Sequence, residues 1–230
     1  MTTALPDWDE AYRQEGKYEG PPPWNIGEPQ PELAALIAAG KFDGDVLDAG
    51  CGLAELSLFL AADGYNVLGI DLSPTAITAA TAAAAERGLT NAEFAQGDIS
   101  DFATFPPGSE GRFGTIADST LFHSLPVEAR DGYLAAVHRA AAPGAKYFVL
   151  VFAKEAFPEE MTVRPHTVDE DELRAAVATH WEIDEIRPAF IHIHKPVVRI
   201  DSTVQFPEHG RDEKGRMKMP AYLLAAHKTG

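Results

Sequence analysis

Gly50 and Gly52 stand in the run Val46-Leu47-Asp48-Ala49-Gly50-Cys51-Gly52-Leu53-Ala54-Glu55, which reads as a short apolar strand, a glycine turn and the start of a helix. Lacking side chains, they let the backbone turn sharply and let a ligand approach it closely. The free N–H groups that open the next helix can then point at that ligand. Asp48 precedes the first glycine by two positions. Asp71 lies about 20 residues beyond the turn, the spacing at which an acid meets a ribose hydroxyl in open α/β sheets. It could also cap the helix that opens at Ser73-Pro74, although Ser73 is the better placed cap. Farther along, His123 carries an imidazole whose ordinary pKa suits proton removal near neutral pH. Its alternative role is packing, or capping the helix after Pro126.

Two ligands fit such a turn. A dinucleotide needs Gly-x-Gly-x-x-Gly or Ala, with its diphosphate on the helix N-terminus. Here Glu55 holds the last position, where a carboxylate would oppose both close packing and a phosphate. S-adenosylmethionine has no phosphate, and its ammonium seeks a carboxylate such as Asp48. A plain strand-to-helix turn is the other reading, but turn and acid together are much more specific than either alone. A nicotinamide-dependent oxidoreductase and a domain that binds the cofactor without turnover remain as competing classes.

The elements that must position these residues alternate strand and helix, the pattern of a parallel α/β sheet. Pro31–Ala39 has a helical apolar pattern closed by Gly40. Strands at 45–49 and 65–72 bracket a helix over 54–62. An alanine-rich helix over 74–87 follows, made secure by the high propensity of alanine. Ala92–Gln96 alternates as a third strand, 112–118 gives the fourth, 127–142 a helix, and Pro143-Gly144 turns into a strand over 146–152. After a long segment to Val168 comes a helix over 169–178, capped by Asp169 or Thr167. Strands over 181–186 and 219–226 then pair antiparallel. Between them, Ile191-His192-Ile193-His194 places two histidines on one strand face. No third ligand stands at a fixed spacing, so a surface strand is the expectation and no metal site is read there. The charged stretch 211–218 reads as an exposed connection. Residues 1–30, rich in Pro, Gly, Trp and Tyr, read as an ordered lid whose aromatics include Trp8, Tyr12, Tyr18 and Trp24, ahead of a single domain over 31–230. Packing on the core is the other role for Trp8.

Asp48-Ala49-Gly50-Cys51-Gly52, Gly69-Ile70-Asp71-Leu72-Ser73, Gly97-Asp98 and Phe113-Gly114-Thr115-Ile116-Ala117-Asp118 together resemble the successive motifs of the class I S-adenosylmethionine-dependent methyltransferases. Ala54 departs from the third glycine that many members carry. The resemblance implies a Rossmann-like seven-stranded mixed sheet flanked by helices, of order 3-2-1-4-5-7-6 with strand 7 antiparallel. It carries cofactor contacts onto Asp48, Gly50, Cys51, Gly52, Asp71, Leu72 and Ser119. By the same resemblance Asp98 accepts from the adenine amino group and Ile99 packs on the ring or offers its backbone. A turn acid is the alternative for Asp98, since Ser100-Asp101 follow. Trp24, in Pro-Trp-x-x-Gly-x-Pro-Gln, resembles a lid motif of thiol, thiopurine and heterocycle methyltransferases, which brings Gln30 to the methionine end. With Asp118-Ser119-Thr120-Leu121-Phe122-His123-Ser124, the chain most resembles the thiopurine methyltransferase-like group, and within it the mycobacterial heterocyclic toxin methyltransferases. That implies O-methylation of 1-hydroxyquinolin-4-one type toxins, hence detoxification, with N- or S-methylation of other heterocycles and thiol or halide methylation as alternatives.

Methyl transfer from a sulfonium needs alignment, exclusion of water and sometimes a base. His123 is the candidate base, or a donor that orients the acceptor, with Asp118 the weaker candidate. An aromatic lid suits a flat apolar acceptor. Composition narrows the partners further. The 230 residues carry a net charge of −16 and no basic run, which disfavours phosphate backbones and anionic membranes. Cys51 is the single cysteine, so no intrachain disulfide forms, consistent with a reducing, cytoplasmic location. Its place suits a small apolar filler in the turn more than a reactive thiol. No apolar signal run opens the chain, and no stretch has membrane-span length.

Overall fold

Val46–Ala49 forms strand β1, and all four residues are buried, as in a strand covered on both faces. The computed structural model describes residues 8–15, 20–158, 161, 164–194 and 209–230. Tyr18 and the chain start, both part of the expected lid, lie outside the described residues. On one side of β1 come β2 (Val67–Asp71) and β3 (Ala92–Gln96). On the other come β4 (Phe113–Ser119), β5 (Ala141–Phe152), β7 (Met217–His227) and β6 (Glu182–Ile193) at the edge. The order is β3-β2-β1-β4-β5-β7-β6. Pairing is parallel from β3 through β5, and β7 runs antiparallel to both neighbours. The sheet is the one implied by the resemblance.

Among the described residues the α-helices are α1 (Trp8–Arg13), α2 (Pro31–Ala38), α3 (Glu55–Ala62), α4 (Pro74–Glu86), α5 (Arg130–Ala140) and α6 (Glu170–Val177). The two-residue period of β5 divides the core. Tyr147, Val149 and Val151 join Tyr133 and Val137 of α5 and Leu173 of α6. Phe148, Leu150 and Phe152 join Leu33 and Ile37 of α2 and Leu60 of α3. Helix α4 buries Ala76, Ala80 and Ala84 along one face, and such small side chains let it lie close to the sheet. Ser73 caps it by accepting from the Ala76 N–H at 3.1 Å. Asp169 closes a reciprocal capping box with Glu172 on α6, which settles the cap between Asp169 and Thr167.

Several elements differ from the sequence reading. Helix α5 begins at Arg130, after a 3-10 turn over Val127–Ala129. The Pro143-Gly144 turn lies inside β5 as an irregularity, where the register against β4 shifts. Strand β6 runs on to Ile193 with Pro188 inside it. As the edge strand it needs hydrogen bonds on one side only, so a missing N–H is tolerated. His192 is consequently not on a surface strand. It is buried, and its Nδ1 lies 2.9 Å from Asp212 Oδ2, whereas His194 is exposed beyond the strand end. Nor is 211–218 a simple exposed connection. Arg216 is buried between Asp212 and Glu28, at 2.6 Å from each.

Candidate active site

The carboxyl ends of β1, β2 and β4 open onto one cavity of about 380 Å³, at the point where the strand order reverses and leaves a crevice. Twelve residues named from the sequence line it: Asp48, Gly50, Cys51, Gly52, Asp71 and Leu72, then Asp98, Ile99 and Ser119, and with them Trp24, Gln30 and His123, whereas Asp118, the weaker catalytic candidate, is not part of the lining. The buried carboxylate of Asp48 accepts from Ser57 Oγ at 2.6 Å, yet burial pushes its pKa up to about 6. Asp71 accepts the Gly52 N–H on Oδ2 and the Ser73 N–H on Oδ1, each at 2.9 Å. Burial raises its pKa too, and these N–H groups offset part of the rise. Asp71 therefore ties the glycine turn to the start of α4 while facing the cavity.

Positive φ at Gly50 (+69°) and Gly52 (+53°) suits glycine, and space is as restrictive as conformation. A Cβ at Gly50 would stand 2.7 Å from Leu121 Cδ1, and one at Gly52 2.6 Å from the Tyr12 hydroxyl. Ala54 replaces the third glycine and is itself left-handed, with φ +65°. That conformation costs about 1–2 kcal/mol without glycine. Burial of its methyl among Leu58, Ala80 and Ala84 works against the cost. Burial also raises the Cys51 thiol, as do Asp48 and Asp71, which makes it a neutral filler.

Asp98 uses Oδ1 for the Ser100 N–H and hydroxyl, at 2.9 and 2.7 Å. It is a turn acid that also reaches the cavity. Gln30 is a clasp: its amide donates to His192 O at 2.9 Å and accepts the His192 N–H at 2.8 Å. Both polar ends thus bind the β6 backbone, a role the sequence reading did not contain. Trp24 meets Trp8 edge-on, with ring centroids 5.9 Å apart. Tyr12, read as a lid aromatic, lines the cavity, as do Glu28 and the apolar Phe152, Phe157, Met217 and Met219, which were not read as site residues. They come from four distant segments that no local spacing connects. Asp9 of α1 accepts the Ser73 hydroxyl and the Thr75 N–H, fastening this helix over the start of α4.

At the other end, Asp118 is fully buried and holds the loop after β4. It accepts the N–H groups of Leu121 at 2.8 Å and Phe122 at 3.2 Å, and the Tyr133 hydroxyl at 2.8 Å. Burial outweighs these donors and lifts its pKa to about 7. Thr120, at φ +78°, is the strained residue of that loop. His123 follows, 4.3 Å from the Phe152 ring centroid. Its Nδ1 accepts the Phe152 N–H at 3.2 Å. Burial first, and Arg130 second, depress its pKa to about 3. A neutral ring that accepts at Nδ1 carries its proton on Nε2.

Five carboxylates (Glu28, Asp48, Glu55, Asp71 and Asp98) line the cavity, and among the described residues no lysine or arginine does. A diphosphate would meet repulsion there, whereas a sulfonium and an ammonium would meet attraction. Comparison with known proteins agrees. A family profile described as a methyltransferase domain matches residues 46–144. A 2-heptyl-1-hydroxyquinolin-4(1H)-one methyltransferase of Mycobacteroides abscessus is 48% identical over 231 residues, covering 99% of this chain and 100% of that protein. The chain belongs to the S-adenosylmethionine-dependent methyltransferases. A structure solved in work on the conversion of a disulfide bond into a thioacetal group during echinomycin biosynthesis has a TM-score of 0.78 and 33% identity, covering 96% of this chain and 91% of that one. The 1,6-didemethyltoxoflavin-N1-methyltransferase of Burkholderia thailandensis shares the fold, with a TM-score of 0.59 at 21% identity over 87% of this chain and 77% of its own. The cofactor of this methyltransferase is S-adenosylmethionine, and the acid-lined glycine cradle fits it.

Proposed function

We propose that this methyltransferase acts on small aromatic heterocycles and methylates the oxygen of a 1-hydroxyquinolin-4-one type toxin, a detoxifying reaction. The observation that carries this reading is that His123 packs on Phe152, which meets Phe157 edge-on, and that these residues share the cavity lining with Met161, Met217 and Met219, apolar side chains that suit a flat ring. The hydroxyquinolone methyltransferase named above supports the acceptor class, since it aligns with this chain from end to end.

S-adenosylmethionine supplies an activated methyl group on a sulfonium. Asp48 and Asp71 would hold its ammonium and ribose hydroxyls, while Gly50 and Gly52 let it approach the backbone. Asp98, Ile99 and Leu72 would take the nucleoside, with Cys51 and Ser119 beside it. His123 acts as a donor: Nε2–H orients the acceptor oxygen, because Nδ1 is already engaged by the Phe152 amide. An N-hydroxyl on such a ring is acidic enough to need little help from a base. The described residues of the N-terminal segment, 8–15 and 20–30, serve as a lid, with Trp24 shielding the reacting centres from water. We infer a small-molecule acceptor in place of nucleic acid, since phosphate backbones call for clustered cations. Among the described residues no helix is long and apolar enough to cross a membrane.

The test is a comparison of kcat/KM for a 2-alkyl-1-hydroxyquinolin-4-one, a thiopurine, bisulfide and iodide. The hydroxyquinolone is expected to lead by at least an order of magnitude. Preference for bisulfide or iodide would move the enzyme to the thiol and halide methyltransferases.

A further inference from the structure

Arg130 opens α5 and is 9% exposed. Its Nη2 donates to His166 O, and its guanidinium carbon sits 4.6 Å over the Phe122 ring. Its Nε, though buried, has no hydrogen-bond partner. The His166 N–H in turn donates to His123 O at 2.8 Å. Ala129 and Pro165, each one residue from an end of this clamp, line the cavity. A buried cation therefore stands directly behind the wall that carries His123.

We propose that Arg130 is a positioning residue whose fixed charge makes the acceptor pocket favour a deprotonated acceptor hydroxyl. The inference rests on the hydroxylated-heterocycle reading above. The cavity's carboxylates, Asp48, Glu55, Asp71 and Asp98 beside a Glu28 already paired with Arg216 and Lys214, would otherwise bias a bound hydroxyl toward its neutral form by repulsion. The carboxylates that face Arg130 are Glu172 and Asp118, and each has other partners. Glu172 is held by Lys154 at 2.7 Å. Asp118 shares its proton-accepting oxygens among Leu121, Phe122 and Tyr133. His166 offers its backbone, and His123 is kept neutral by burial and by Arg130 itself. In the reaction so assisted, the hydroxyl proton leaves to water before transfer. The oxygen lone pair then forms the C–O bond as the C–S bond breaks, its electron pair staying on sulfur.

The experiment is the pH dependence of kcat at saturating 2-alkyl-1-hydroxyquinolin-4-one, which reports the ionisation of the bound acceptor, for the wild type, Arg130→Gln and Arg130→Lys. Glutamine keeps a donor for His166 O without the charge, and lysine keeps the charge. Arg130→Gln is expected to move the acid limb of kcat upward by about one pH unit, as loss of a nearby charge would, and its deficit should close once the pH exceeds that shifted limb. Arg130→Lys should hold the wild-type limb. A loss equal at every pH in both variants would overturn the proposal, because a clamp alone gives that result. Should Arg130→Gln not fold, absorbance titration of the hydroxyquinolone bound to wild-type enzyme with S-adenosylhomocysteine decides. A bound pKa about one unit below the free value supports the proposal, and one equal or higher overturns it. No methylation of the hydroxyquinolone at any pH would refute the acceptor reading together with this inference, whereas methylation with coincident pH profiles refutes the role of Arg130 alone.

Discussion

Asp71 and His123 show how far single residues could be read. Asp71 was visible through its distance from the glycine turn, and its carboxylate does face the cavity while gripping Gly52 and Ser73. Asp71→Ala removes two hydrogen bonds to a charged group and the ribose contacts proposed for it. Its Kd for S-adenosylhomocysteine should rise about 100-fold in calorimetry; an unchanged Kd would detach Asp71 from the cofactor. His123 was visible as a type and a position, but its role was not. Which ring nitrogen is free depends on the Phe152 amide, 29 positions away in sequence, and no local pattern records that. With its pKa held near 3, His123 is neutral across the working range and contributes no inflection to the pH profile. His123→Ala should lower kcat about 10- to 100-fold, the worth of a donated bond to a charged oxygen, with cofactor binding retained. A His123→Gln variant, whose amide can donate, should recover part of it. Wild-type turnover in His123→Ala would remove the residue from the reaction.

At the scale of elements, the strands and helices nearest the glycine turn were legible, because periodicity, caps and glycines coincide there. β3 spans Ala92–Gln96 as read, and α4 starts at Pro74 under its Ser73 cap. Elements whose shape depends on distant partners were not. β6 continues through Pro188 because it is an edge, and His192 is buried because Asp212 returns to meet it. The loop after β4 is fixed by a buried acid, which gives it a pH signature. In the folded protein Asp118 titrates near pH 7, against 3.8 as its ordinary value. At pH 5 the folded state keeps this proton and the unfolded chain has lost it, so stability from this group falls as pH rises toward 7. Denaturant midpoints should show the advantage of wild type over Asp118→Asn shrinking from pH 5 to pH 8. A constant gap would contradict the raised pKa. On the cofactor side, Gly52→Ala drives a methyl into the Tyr12 hydroxyl. It should speed S-adenosylhomocysteine release in stopped-flow measurements by displacing α1, and an unchanged release rate would mean that α1 does not retain the ligand.

Across the whole molecule, alternating strands and helices indicated a parallel α/β sheet with an antiparallel pair at its end, and the resemblance supplied the strand order that the structure has. What holds residues 20–30 to the far edge of that sheet was invisible beforehand. Gln30 pairs with the His192 backbone, Pro23 O accepts the His194 N–H, and Glu28 meets Arg216 and Lys214. These contacts close one wall of the cavity using residues more than 160 positions apart. Gln30→Ala leaves the buried His192 N–H and carbonyl without partners and should cost about 1–3 kcal/mol of stability in urea unfolding; a neutral result would show that this edge contributes little. The central claim is that an acid-lined cradle and an aromatic acceptor wall together direct a methyl group to a ring hydroxyl. Its most direct measurement is the carbon NMR spectrum of the product made from a 2-alkyl-1-hydroxyquinolin-4-one and S-adenosylmethionine carrying a ¹³C-labelled methyl. We expect a single labelled N-methoxy resonance. Label on a ring carbon or ring nitrogen, or no label while bisulfide is methylated under the same conditions, would contradict the account.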